Sequence, residues 1–139
     1  MHSKRHFLNK VITAAIAAVL SVTLSFSAFA AQIKPTELVE NKNYVYEFNE
    51  DGKLTCFDQY DDPVSGFVRY EDDIYYMDKE GIMMTGWVKS EGNWYYFYDE
   101  DYIIEHKLED EVRPGTMAVD TTIDNYKVNS EGEMVKTTW

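Results

Sequence analysis

The side chains of this sequence that can do chemistry are of three kinds. Carboxylates are the first, gathered at Asp72-Asp73 and Asp99-Glu100-Asp101. Two carboxylates held about 5–10 Å apart can hydrolyse a glycosidic bond. These acids, however, fall at turns, where a carboxylate is solvated, and the repeats described below leave no second domain to hold an active site. Asp99-Glu100-Asp101 also lacks the spacing and the glycine of a calcium loop. The second kind is a thiol and an imidazole. Cys56 is the only cysteine and sits between Thr55 and Phe57, while His106 is the only histidine after the first thirty residues and sits among acids. Cys56 reads as a packing residue or as half of an intermolecular disulfide, since no internal disulfide can form. No catalytic residue, metal ligand or cofactor is expected. The third kind is aromatic: Trp87, Trp94 and the tyrosines that follow them, set in a repeating phrase.

Gly66-Phe67-Val68-Arg69-Tyr70-Glu71-Asp72-Asp73-Ile74-Tyr75-Tyr76 is echoed 20 residues on by Gly86-Trp87-Val88-Lys89-Ser90-Glu91-Gly92-Asn93-Trp94-Tyr95-Tyr96. A fixed period of this size predicts one small unit stacked on copies of itself. Each unit reads as a β-hairpin. Trp87-Val88-Lys89 is one strand, Ser90-Glu91-Gly92-Asn93 a turn with Gly92 and Asn93 suited to positive φ, and Trp94-Tyr95-Tyr96-Phe97-Tyr98 the return strand. Alternation puts Trp94, Tyr96 and Tyr98 on one face and Tyr95 and Phe97 on the other. Neither face is polar, so each hairpin must be covered by the next.

Four units are predicted, centred on Val45–Phe48, Ile74–Met77, Trp94–Phe97 and Asn125–Val128. Their spacing is uneven, at 29, 20 and 31 residues. The first long gap reads as an insertion at 57–63. The second reads as an acidic loop or a degenerate hairpin at 105–115. A lone hairpin is marginal in water, and about three stacked units are needed before an array stands alone. The expected class is all-β: a β-hairpin solenoid of about four short repeats, preceded by a helical signal peptide.

That signal peptide is residues 1–30. A basic start at Lys4, Arg5 and Lys10 precedes the apolar run from Val11 to Leu20, and Ala28-Phe29-Ala30 supplies the small residues of a cleavage site. Residues 31–43 form a polar lead-in, in which a short helical turn around Pro35 to Glu40 stays open without further support, and 44–139 form the repeat domain. After cleavage at Ala30, 10 basic residues face 25 acidic ones, a net charge of −15. Phosphate recognition rests on Lys and Arg, so nucleic acid and anionic lipid are poor partners. A cationic or neutral ligand fits, and the acids also keep an aromatic-rich surface in solution. The predicted location is secreted, at the cell surface or cell wall.

The phrase Thr85-Gly86-Trp87-Val88-Lys89, continued by Gly92-Asn93-Trp94-Tyr95-Tyr96-Phe97, resembles the cell-wall-binding repeats: choline-binding modules and the related glucan-binding repeats. The resemblance runs over roughly 41–139 and is most specific in the third unit. It implies a non-catalytic secreted protein that binds a choline-bearing or glucan-like wall polymer through stacked aromatic rings. It makes Trp87 and Trp94 the ligand-contacting tryptophans and Tyr96 a closing wall, with Phe67 and Tyr76 at matching places in the second unit. Departures from the pattern are Phe67, Ile74 and Asn125 at tryptophan positions, and Thr138 before Trp139. Tyr75, Tyr95, Phe97 and Tyr126 read as core. An alternative function is a structural solenoid that associates with itself through an unpaired end at Trp139.

Overall fold

The computed structural model describes residues 33–136. The leader at 1–30 and the Trp139 phrase lie outside the described residues. Four antiparallel hairpins follow one another: β1 (Val45–Phe48) with β2 (Leu54–Phe57), β3 (Gly66–Tyr70) with β4 (Asp73–Met77), β5 (Gly86–Ser90) with β6 (Asn93–Phe97), and β7 (Thr121–Ile123) with β8 (Tyr126–Val128). Among the described residues, one short helix, α1 (Glu100–Glu105), and a 3₁₀ turn at Pro35–Glu37 complete the elements. Among the described residues no helix is long and apolar enough to cross a membrane.

The last three hairpins turn through two residues with positive φ: Glu71-Asp72, Glu91-Gly92 and Asp124-Asn125. Paired positive φ matches the turn to the twist of the strands it joins. The turn of the third hairpin therefore sits one residue earlier than its glycine suggested. Glu91 takes the left-handed conformation, and Asn93 starts the return strand opposite Ser90.

The hairpins are joined by a second, recurrent loop. Asp58, Asp78 and Asn129 each accept two backbone N–H groups on the side-chain oxygen, from the residues two and four places on. The residue three places on donates its N–H back to the carbonyl of the Asp or Asn. That residue has positive φ in each copy: Asp61, Gly81 and Gly132. At Gly81 a Cβ would also lie 2.6 Å from the Cys56 carbonyl oxygen, so a side chain is excluded twice over.

This loop corrects the register of the first unit. Asn49 builds the same loop inside the first hairpin, so the phrase Asn49–Lys53 imitates an exit turn while acting as a hairpin turn. The return strand is β2, poor in aromatics and therefore inconspicuous in the sequence. Segment 57–63 is no insertion but the exit turn built on Asp58. Counted on the return strands, Leu54, Ile74 and Trp94 are each 20 residues apart.

Stacking follows a rule. The strand leaving each hairpin donates a backbone N–H to the return strand of the hairpin before it: Met83 to Leu54 at 2.9 Å, Met117 to Ile74 at 2.8 Å, Met134 to Trp94 at 2.8 Å. The side chains between these bonds form three apolar clusters, and alternation along β6 and the residue after it sends Tyr96 and Tyr98 to one and Tyr95 and Phe97 to another. Each fully buried apolar side chain contributes about 1.5–3 kcal/mol.

One true insertion remains, in the exit of the third hairpin. The sequence allowed an acidic loop or a degenerate hairpin there. Instead Asp99 caps α1, accepting the Tyr102 N–H at 2.7 Å, and the chain returns through Gly115 and Thr116 to bond with Tyr98. Arg113 ties this insertion to the turn of the second hairpin, reaching Glu71 at 3.1 Å and Asp73 at 2.7 Å. These two carboxylates, Asp73 first, raise the guanidinium further above its ordinary range.

Candidate functional site

Each junction between successive hairpins brings four side chains together: one from the leading strand, one from the return strand, one from the next return strand and a residue from the next exit strand. At the first junction these are Tyr46, Leu54, Tyr75 and Met83. At the second they are Phe67, Ile74, Tyr95 and Met117. At the third they are Trp87, Trp94, Tyr126 and Met134. The correspondence rests on the cross-strand register and on the exit-strand bonds given above.

The first two junctions are closed. Leu54 is 0 % exposed and Ile74 6 %, while Tyr75 and Tyr95 are 1 % and 5 % exposed. At the second junction Phe67 meets Tyr95 edge to face, with ring centroids 4.9 Å apart. Burial pushes the Tyr75 hydroxyl up to about 12 and raises that of Tyr95 as well, because the phenolate cannot be solvated there.

The third junction is open. Trp94 is 39 % exposed and Tyr126 53 %, and with Trp87 and Met134 they line a cavity of about 290 Å³. Trp87 meets Tyr126 edge to face at 5.8 Å, as Phe67 meets Tyr95 one junction earlier. Two features open it. A tryptophan stands where Leu54 and Ile74 plug the earlier junctions. The fourth hairpin is also short, with three residue pairs against five in the third, and Tyr126 is left half exposed. Asn125, read from sequence as a strand residue, is part of the turn that cuts the hairpin short.

Trp87 is held from behind. Its ring lies 5.1 Å from that of Tyr96, whose hydroxyl donates to Asp99 at 3.1 Å. Tyr96 in turn packs against Tyr102 of α1 at 5.5 Å. Burial, then the Asp99 carboxylate, raises the Tyr96 hydroxyl well above the usual tyrosine range, so it stays protonated and donating. The only cation close to an aromatic face among the described residues is Lys89, its Nζ 5.9 Å from the Trp94 ring centroid.

Of the residues the sequence nominated, Trp87 and Trp94 line the open cavity. Tyr96 is buried behind it, against Trp87. Phe67 and Tyr76 sit together one junction away, 4.9 Å apart and packed on Phe97. Tyr126, read as core, is the third ring of the cavity. The signal that would have found it is its offset from the next exit turn: Tyr126 stands three residues before Asn129, as Tyr75 stands three before Asp78. Cys56 is fully buried and free, and burial pushes its thiol up to about 11.

Residues 64–101 match the family model of the choline-binding repeat. This stretch, which holds the second and third hairpins, thus carries repeats of the cell-wall-binding family. Among solved structures the chain is similar to choline-binding protein F from Streptococcus pneumoniae, determined in the presence of a peptidoglycan analogue: 29 % identity, 66 % of this chain and 26 % of that one, TM-score 0.48. It is also similar to the choline-binding domain of another Streptococcus pneumoniae protein: 26 % identity, 71 % of this chain and 100 % of that one, TM-score 0.48. A third is the multimodular pneumococcal cell wall endolysin of phage Cp-1 complexed with choline: 19 % identity, 70 % of this chain and 26 % of that one, TM-score 0.47. The chain thus spans about a quarter of choline-binding protein F and of the endolysin. No curated protein matches it.

Proposed function

We propose that this protein is a non-catalytic, exported binding module whose third hairpin junction captures a quaternary ammonium group, such as choline, on a cell-wall polymer. The observation that carries the proposal is the contrast between junctions. The same four positions are packed shut twice and lie open once, and the open set consists of Trp87, Trp94, Tyr126 and Met134. Ring faces attract a cation, by about 0.5–1 kcal/mol when exposed and about 2 kcal/mol when desolvated. A trimethylated ammonium donates no hydrogen bonds, so a box without acceptors leaves nothing of it unsatisfied. The methionine adds a polarisable, adaptable wall.

The leader at 1–30 supports export, and the strongly acidic repeat domain is consistent with a cationic ligand group. Choline titrated against the protein, with tryptophan fluorescence as the readout, tests the proposal when run beside its neutral isostere 3,3-dimethylbutan-1-ol. Saturable binding of choline, lost in Trp87→Ala and weak for the isostere, is the expected result. Equal binding of both compounds overturns the cation reading. Binding of glucan oligosaccharides alone makes the site a sugar platform instead.

A further inference from the structure

The third junction is open at its Trp94–Tyr126 edge, while Ile123 and Val128 of the fourth hairpin are buried in one apolar cluster with Tyr96 and Tyr98. A polar hub stands beside the open edge. Asn93 Nδ2 donates to Glu133 Oε2 at 2.8 Å, from the first residue of β6 to the exit strand of the fourth hairpin. Asn129 Nδ2 reaches the other oxygen of Glu133 at 3.3 Å, and the Glu133 N–H donates to Asn129 Oδ1 at 2.9 Å. Lys34, from the lead-in, pairs with Glu133 at 3.5 Å and with Glu131 at 3.3 Å. These two acids raise the lysine above its ordinary range and keep it charged.

Asn93 and Glu133 are each one residue from a wall of the cavity: Trp94 on one strand, Met134 on the other. At the closed junctions the matching positions are Lys53 with Ile82, and Asp73 with Thr116. Among the described residues neither pair is joined by a side-chain hydrogen bond. Asp73 is held by Arg113 instead. The direct strand-to-strand side-chain bond occurs at the one junction that is open.

We infer that Asn93 and Glu133 are positioning residues for the aromatic box, holding Trp94 and Met134 at a fixed separation so that the cavity is formed before ligand arrives. A preformed site avoids ordering its walls on binding, and that saving appears as affinity. Lys34 neutralises the acid and keeps the lead-in beside the fourth hairpin. The inference rests on the binding reading above, and one of its readouts is independent of ligand.

The test compares full-length Asn93→Ala, Glu133→Ala, Glu133→Gln and, as a control, Arg113→Ala. Choline affinity is measured by calorimetry and the exchange rate of the Met134 amide by NMR. Asn93→Ala and Glu133→Ala should each weaken choline about five- to tenfold and speed Met134 exchange at least tenfold. Glu133→Gln keeps an oxygen for Asn93 and should stay within about threefold of the parent in both. Arg113→Ala removes a tie at the second junction, and should lower the melting temperature while leaving affinity unchanged. If Arg113→Ala weakens choline as much as Asn93→Ala does, the effect is general destabilisation and the inference is overturned. If the parent protein does not bind choline, the binding reading fails. Faster Met134 exchange in Asn93→Ala then still supports the hub, and unchanged exchange overturns it.

Discussion

Replacing Trp94 with isoleucine gives the third junction the residue that closes the second. The matching position holds Ile74 in the same register with the same exit-strand bond, so the backbone accepts isoleucine without strain. Trp94 is 39 % exposed and flanked by Lys89, so its ring acts on a bound cation with an energy between the exposed and desolvated limits, about 1–2 kcal/mol. At 1.4 kcal/mol per tenfold, Trp94→Ile should weaken choline about 5- to 30-fold. Stability should change by less than about 1 kcal/mol, because a partly exposed side chain gives up only part of its burial contribution. Calorimetric titration with choline, paired with urea unfolding, measures both numbers. An unchanged affinity would refute the assignment of Trp94 to the box. A large loss of stability would refute the equivalence of the junctions.

Four further outcomes follow from the same geometry. Tyr126→Ala should weaken choline about tenfold at little cost in urea stability, whereas Tyr95→Ala, at the closed junction, should cost about 3–5 kcal/mol, as large-to-small changes of buried aromatics do. Lys89→Gln removes a competing cation near Trp94 and should tighten choline about twofold, with the gain vanishing above about 0.5 M salt where exposed charges are screened. Tyr75 titrates near 12 in the fold against about 10 when unfolded, so its contribution is fully present below pH 10 and is lost between about 10 and 12. That loss approaches about 3 kcal/mol, and Tyr96, also raised, adds to it in the same direction; urea midpoints at pH 9 and 11.5 check this, and equal midpoints would contradict it. Cys56 should resist thiol reagents in buffer and react once urea unfolds the chain, because a buried thiol with a raised pKa presents little thiolate.

What the sequence made legible was the part written in local chemistry. The hairpins of the second and third units are announced by alternating aromatics around paired turn residues, and the structure has them at those positions. The first unit was harder, because Asn49-Glu50-Asp51-Gly52 has the composition of an exit turn and yet closes a hairpin. Only the pairing of Phe48 with Leu54 tells the two apart. Helix α1 was invisible for a related reason. Its six residues are too few for an apolar period, and its cap, Asp99, looks like another turn acid. The tryptophans were legible as candidates because their types are rare. Tyr126 was not, since it belongs to the short fourth hairpin, where it is left half exposed. The hub at Glu133 joins residues 40 and 99 positions apart, a distance over which local pattern carries no information.

On the proposed reading, the open third junction alone holds the quaternary ammonium group. A crystal structure of the protein soaked with choline tests it most directly. One choline per chain is expected, its trimethylammonium enclosed by Trp87, Trp94, Tyr126 and Met134, with both closed junctions unchanged. Choline lodged instead between Phe67 and Tyr95, or absent from the third junction at saturating concentration, would contradict it.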